Sequence, residues 1–168
     1  MLYKLSAIEK TRLQRAIRAA LSVPFIAGVE GYVWESIFLY MKGLPLPTPH
    51  STKRKKWLFD AVDTKTRNGW SLKAVQKSPD APSCELVIQR ADIPKKKKAL
   101  GFPKLTLKSP TEELGHAILA HWNTKIEDDM KKQGVDHPRV AVLLKSSNHQ
   151  HYALLEQDLH RFAPDKLS

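Results

Sequence analysis

The stretch that most narrows the fold is Trp57 to Lys77, WLFDAVDTKTRNGWSLKAVQK. Two strand-like runs, Trp57 to Asp63 and Trp70 to Lys77, flank the linker TKTRNG, which ends in Asn68-Gly69. Asn-Gly between alternating runs is a strong hairpin signal, because both residues accept the positive φ that tight hairpin turns demand. A two-residue loop there sets Asp60 opposite Lys77, Val62 opposite Val75 and Thr64 opposite Lys73. Side chains alternate between the faces of a sheet, so Asp60, Ser71 and Lys73 share one face in that register. A slip of two residues preserves the grouping.

Other elements follow on both sides. Ile8, Leu13, Ile17, Ala20 and Leu21 recur at helical spacing among Lys and Arg, which predicts an amphipathic helix from Ser6 to about Val23, stopped near Pro24. Gly28 to Met41 is a second helix, with Val29, Val33, Ile37 and Tyr40 in one stripe and Trp34 and Phe38 beside it. A third strand is expected at Cys84 to Arg90. Ser109-Pro110-Thr111-Glu112 reads as a helix start, with Ser as N-cap, Pro at the first helical position and an acid three residues after the cap. That helix should stop at Gly134, burying Leu114, Ala117, Ile118, His121, Trp122 and Ile126. Arg139 to Lys145 and His151 to Glu156 complete the set as strands. The order α, α, β, β, β, α, β, β predicts a mixed α/β fold in a single domain over residues 1–168. Residues 1–27 form an accessory helix, 28–157 the core and 158–168 a tail.

Charge is unevenly placed. Fifteen basic and five acidic side chains fall between residues 51 and 108, a net of +10 out of +11 for the whole chain. A local excess of this kind implies a surface that faces a polyanion. The two densest runs are Lys53-Arg54-Lys55-Lys56 and Lys95-Lys96-Lys97-Lys98. No apolar run approaches the ~20 residues of a membrane span, and the charged start lacks a secretory h-region. The single cysteine, Cys84, excludes an internal disulfide framework and fits a reducing compartment, so a cytoplasmic location without membrane contact is expected. His116 and His121 are five apart, about 140° around a helix, and are poorly placed to share a metal.

The Asp60, Ser71 and Lys73 grouping, in this element order, resembles the PD-(D/E)xK nuclease superfamily, the restriction-endonuclease-like fold, over residues 28–157. That resemblance implies an αβββαβ core with an extra N-terminal helix. It aligns Asp60 with the family's first motif position and Ser71-Leu72-Lys73 with its acid-x-Lys triplet. It also implies a metal-dependent endonuclease that hydrolyses DNA phosphodiester bonds, of restriction or repair type. Mg²⁺ or Mn²⁺ would be held by Asp60 and by Glu35 from the preceding helix, with Glu30 in reserve, and Lys73 would orient the attacking water. Double-stranded DNA is the implied substrate, gripped by the two basic runs, and cutting both strands calls for a homodimer. The chain departs from the pattern at Ser71, which replaces the acid of the triplet. Three readings follow: Glu35 supplies the missing carboxylate, Gln76 or Glu85 contributes instead, or the domain binds nucleic acid without cutting it as part of a larger assembly. A plainer account makes Asp60 and Lys73 a cross-strand ion pair on a solvated face.

Overall fold

A computed structural model of the chain describes residues 2–23, 28–46, 57–77, 97–106, 108–146, 148, 150–161 and 163. Among the described residues there are seven elements: α1 (Ala7–Leu21), α2 (Gly31–Lys42), β1 (Ala61–Asp63), β2 (Asn68–Lys77), α3 (Thr111–Gln133), β3 (His137–Ser146) and β4 (Tyr152–Asp158). The strand expected at Cys84 to Arg90 lies outside the described residues. The fold is mixed α/β, and among the described residues the sheet has four strands in the order β1-β2-β3-β4. The β1/β2 and β3/β4 pairs are antiparallel, and β2 and β3 run parallel through the crossover that contains α3.

Local chemistry sets the helix ends. Ser6 caps α1 with a reciprocal box: its hydroxyl accepts from the Glu9 N–H at 3.2 Å, and the Glu9 carboxylate accepts from the Ser6 N–H at 2.8 Å. α2 ends at Gly43, whose φ of 69° is the left-handed cap that a residue without Cβ adopts at least cost. The start of α3 lies one residue later than the sequence pattern predicts. Pro110 occupies the N-cap, and the Ser109 hydroxyl instead accepts from the Thr106 N–H at 3.1 Å, closing the preceding turn.

The main core lies between the sheet and the α1/α2 pair. Trp34, Ile37, Phe38 and Met41 of α2 meet Ala61, Trp70, Leu72, Ala141 and Leu143 from three strands. Phe38 sits edge-on between Trp34 and Trp70, with centroids 5.4 and 5.6 Å away, a favoured aromatic geometry. Tyr40, expected in the buried stripe, is exposed, and Leu39 and Met41 are buried in its place. The C-terminal half of α3 packs at the β1 edge, where Ile126 and Val135 join Leu58 and Phe59, with Val62 and Trp122 alongside. Val62 follows Ala61, which faces α2, so α3 covers the opposite side of that edge.

The hairpin differs from the sequence expectation in a specific way. Asn68-Gly69 are not turn residues; they are the first two residues of β2, with Asp63 paired to Asn68 and Ala61 to Trp70. The turn is Thr64-Lys65-Thr66-Arg67, and Arg67 carries the positive φ, 55°. Asp63 organises it: its carboxylate accepts from the Lys65 N–H at 2.9 Å and the Thr66 hydroxyl at 2.7 Å. Gly69 is needed for a different reason. A Cβ there would lie 2.6 Å from a Val135 methyl carbon and 3.0 Å from the Phe59 ring. The glycine thus permits close approach of β2 to the end of the crossover.

Candidate functional site

β1 stops short of its partner, and Asp60 completes the ladder. The Asp60 N–H donates to the Trp70 carbonyl at 2.9 Å, and Asp60 Oδ2 accepts from the Leu72 N–H at 2.8 Å. A carboxylate therefore takes an acceptor place that a strand carbonyl would normally fill. This puts the acid beside the Ser71-Leu72 peptide, six residues out of the register that sets it opposite Lys77. The slip is even, so the grouping of Asp60 with Ser71 and Lys73 survives a wrong register.

The two residues before Asp60 are fixed by α3. The Leu58 N–H donates to Asp129 Oδ2 at 2.7 Å, and Asp129 is in turn paired to Lys125 at 2.8 Å. The Gln133 amide addresses both backbone groups of Phe59, accepting from its N–H at 3.3 Å and donating to its carbonyl at 2.9 Å. A side-chain amide here does what a neighbouring strand would do. Asp60 is held from one side by α3 and from the other by β2.

Along β2, Trp70, Leu72 and Ala74 join the core under α2, so Ser71, Lys73 and Val75 point to the other face. Ser71 is buried and Lys73 is exposed. Among the described residues Lys73 has no carboxylate partner, which removes the plain cross-strand ion pair with Asp60 as an account of the two. Glu35 is half-buried on α2, next to Trp34, and so belongs to the layer on the Trp70 side of β2. Glu30 lies 3.4 Å from the buried Lys145 ammonium. Gln76 is exposed and falls on the Trp70 side by alternation, and Glu85 lies outside the described residues. Of the basic runs, Lys53, Arg54, Lys55, Lys56, Lys95 and Lys96 are also outside them. Lys97 donates to the Leu105 carbonyl at 3.2 Å, and Lys98 is exposed.

The side-chain donors that the ladder register sets next to each other here are oxygens, the Asp60 carboxylate and the hydroxyl of Ser71 across from it. Oxygen donors suit hard cations, and Mg²⁺ is commonly held by one or two carboxylates together with substrate phosphate. Among the described residues no cluster of three or more His, Cys, Asp and Glu side chains is assembled. A magnesium site here would rest on few protein charges.

A second polar centre lies on the other face of the sheet and escapes the sequence pattern. Glu156 of β4 is 2% exposed and accepts from Lys42 Nζ at 2.8 Å, Trp70 Nε1 at 2.8 Å and Arg139 Nη1 at 3.0 Å. Lys42 also reaches Glu9 at 2.8 Å, and Arg139 stacks on the Tyr3 ring at 3.8 Å. Burial alone would raise the Glu156 carboxyl pKa, but the hydrogen bonds and charges of Lys42, Trp70 and Arg139 outweigh it and hold it below the usual range. One sequence signal could have revealed this centre. In YALLEQD the inward positions are Tyr152, Leu154 and Glu156, and an acid in an inward slot requires partners. The partners come from α2, β2 and β3, and no spacing along the chain announces them. The arrangement ties α1, α2 and three strands together.

No family model, curated protein or solved structure matches this chain.

Proposed function

We propose that this protein is a metal-dependent endonuclease that hydrolyses DNA phosphodiester bonds at the Asp60 edge of β2. The observation that carries the reading is the 2.8 Å contact of the Asp60 carboxylate with the Leu72 N–H, which sets an acid against the triplet bearing the exposed Lys73, an ammonium with no carboxylate partner among the described residues. The similarity to the PD-(D/E)xK nuclease pattern and the net charge of +10 over residues 51–108, fifteen basic against five acidic side chains, point the same way.

Asp60 would hold Mg²⁺ or Mn²⁺ together with water and substrate phosphate, with Ser71 hydrogen-bonding nearby; Glu35, in the layer on the Trp70 side of β2, would not share that ion. A divalent cation in such a site activates water and offsets charge on the scissile phosphate. Lys73 orients the attacking water through an N–H donor and stabilises the negative charge that develops on the phosphoryl oxygens. Asp60, fixed from both sides, holds its carboxylate still as that charge forms. The basic runs bind flanking phosphates without reading sequence. Cutting both strands of a duplex would take two copies of the chain.

A second reading rests on two observations: the carboxylate that would bind metal already satisfies a backbone N–H, and the triplet acid is replaced by Ser71. On that reading the domain binds nucleic acid and does not cut it. Incubation with supercoiled plasmid in Mg²⁺, Mn²⁺ or EDTA separates the two. Metal-dependent nicking, lost in both Asp60→Ala and Lys73→Ala, is the result expected of the nuclease. Retention of plasmid without nicking in any metal would move the assignment to a binding domain. An absence of affinity at moderate salt would overturn both.

A further inference from the structure

β4 is the outer strand of the sheet, and among the described residues only part of its free edge is occupied. The Ser146 N–H donates to the His151 carbonyl at 3.0 Å, so alternation turns the backbone groups of Tyr152, Leu154 and Glu156 away from β3. The chain itself shows that this edge accepts a strand. Tyr3 N–H donates to the Glu156 carbonyl at 2.9 Å and Leu2 bridges Gln157 in antiparallel fashion. The chain then turns into α1 at Ser6, and no backbone hydrogen bond among the described residues reaches the outward groups of Tyr152 and Leu154.

A groove of about 510 Å³ lies along this stretch, between α1 and β4. Leu13, Ile17, Leu143 and Leu154 line it, and Lys10 and Arg18 stand at its border on α1. Their eight-residue separation places these cations about 12 Å apart along the helix. Among the described residues neither has a carboxylate partner. On the other face of β4, Leu155 is 47% exposed.

We propose that this edge binds an extended segment of another protein, apolar in alternate positions and acidic at both ends of the apolar stretch, which adds to β4 as the next strand. Main-chain bonds to Tyr152 and Leu154 supply affinity, and side chains entering the groove supply selectivity. Two acids four residues apart on a strand are separated by about 13 Å, which matches the spacing of Lys10 and Arg18. Charge argues against a second copy of this chain as the occupant, since that copy would bring its own Lys10 and Arg18 to the same place in a molecule of net charge +11.

The test is a titration of the full chain, watched through backbone amide resonances, with the blocked peptide Glu-Thr-Val-Thr-Glu. Saturable shifts at Tyr152 and Leu154 are expected, with affinity at least tenfold weaker for Lys10→Glu and for Arg18→Glu. Methylation of the peptide's central amide nitrogens should abolish binding without any change to the protein. No shift at 10 mM peptide (~2.7 kcal/mol of binding at most), or equal binding by the peptide with lysine in place of glutamate, would overturn the proposal. A dimer by light scattering with exchange protection at Tyr152 and Leu154 would overturn it too, by giving the edge to a second copy.

Discussion

Glu156→Gln removes a charge from an enclosed ionic centre and leaves the side chain's shape intact. The wild-type side chain is 2% exposed and bonded to three donors at 2.8, 2.8 and 3.0 Å. Removing one partner of a buried ion pair costs about 3–5 kcal/mol, because the other charge stays desolvated. Two features reduce that figure here. Lys42 keeps Glu9 at 2.8 Å, and the glutamine carbonyl can still accept one hydrogen bond. A loss of about 2–3 kcal/mol at pH 7 is therefore expected. That corresponds to a fall in Tm of roughly 4–12 °C for a chain of this size. Urea unfolding followed by tryptophan fluorescence measures it directly, since Trp70 is bonded to the altered side chain. The pH dependence fixes the cause. The folded-state pKa lies below the ordinary value of 4.5, so ionised Glu156 stabilises the fold fully above that value. The contribution is lost as pH falls through the folded-state pKa. Wild type and variant should thus differ by a constant amount from neutral pH down to about 5.5 and converge below it. A difference under about 0.5 kcal/mol at pH 7, or one unchanged in acid, would refute the reasoning.

Gly69→Ala should cost about 1–3 kcal/mol by overpacking against Val135, and adding Val135→Ala should recover part of it; a double-mutant cycle in thermal unfolding gives the coupling. Gln133→Ala leaves both backbone groups of Phe59 without their side-chain partner, with an expected loss of about 1–3 kcal/mol and faster amide exchange at Leu72, read by hydrogen exchange. Replacing Lys53, Arg54, Lys55 and Lys56 together by glutamine should flatten the salt dependence of duplex-DNA affinity, with the log–log slope reduced by about 3–4 if each contacts a phosphate.

Much of the architecture was legible because hydrophobic period and caps are local signals. The span of α1, the C-terminal ends of α2 and α3, and the apolar β3 all lie within a residue or two of expectation. The hairpin register was not legible, for a physical reason. Asn-Gly is favoured where φ is positive, but it also occurs where a small residue must let another chain segment approach, and Val135 lies 66 positions away from Gly69. The grouping of Asp60 with the triplet survived because it depends only on parity. The roles of Gln133 and Asp129 could not be read, since a polar side chain near the end of a helix has many partners open to it until the fold chooses one. The Glu156 centre failed for the same reason, its partners being spread over Lys42, Trp70 and Arg139.

The parallel pairing of β2 with β3 has a kinetic consequence. Every β2 residue meets a partner 69 positions further along the chain, from Asn68↔His137 to Lys77↔Ser146. Contacts this distant close a large loop before they gain anything, which slows folding. During synthesis at about 5–20 residues per second, β2 waits roughly 3–14 s for its partner to be made. Through that interval Trp70, Leu72, Ala74 and Val75 form an apolar strand with one edge unmatched. The nascent chain is most prone to aggregation then, and a chaperone that masks residues 70–75 would protect it at that stage.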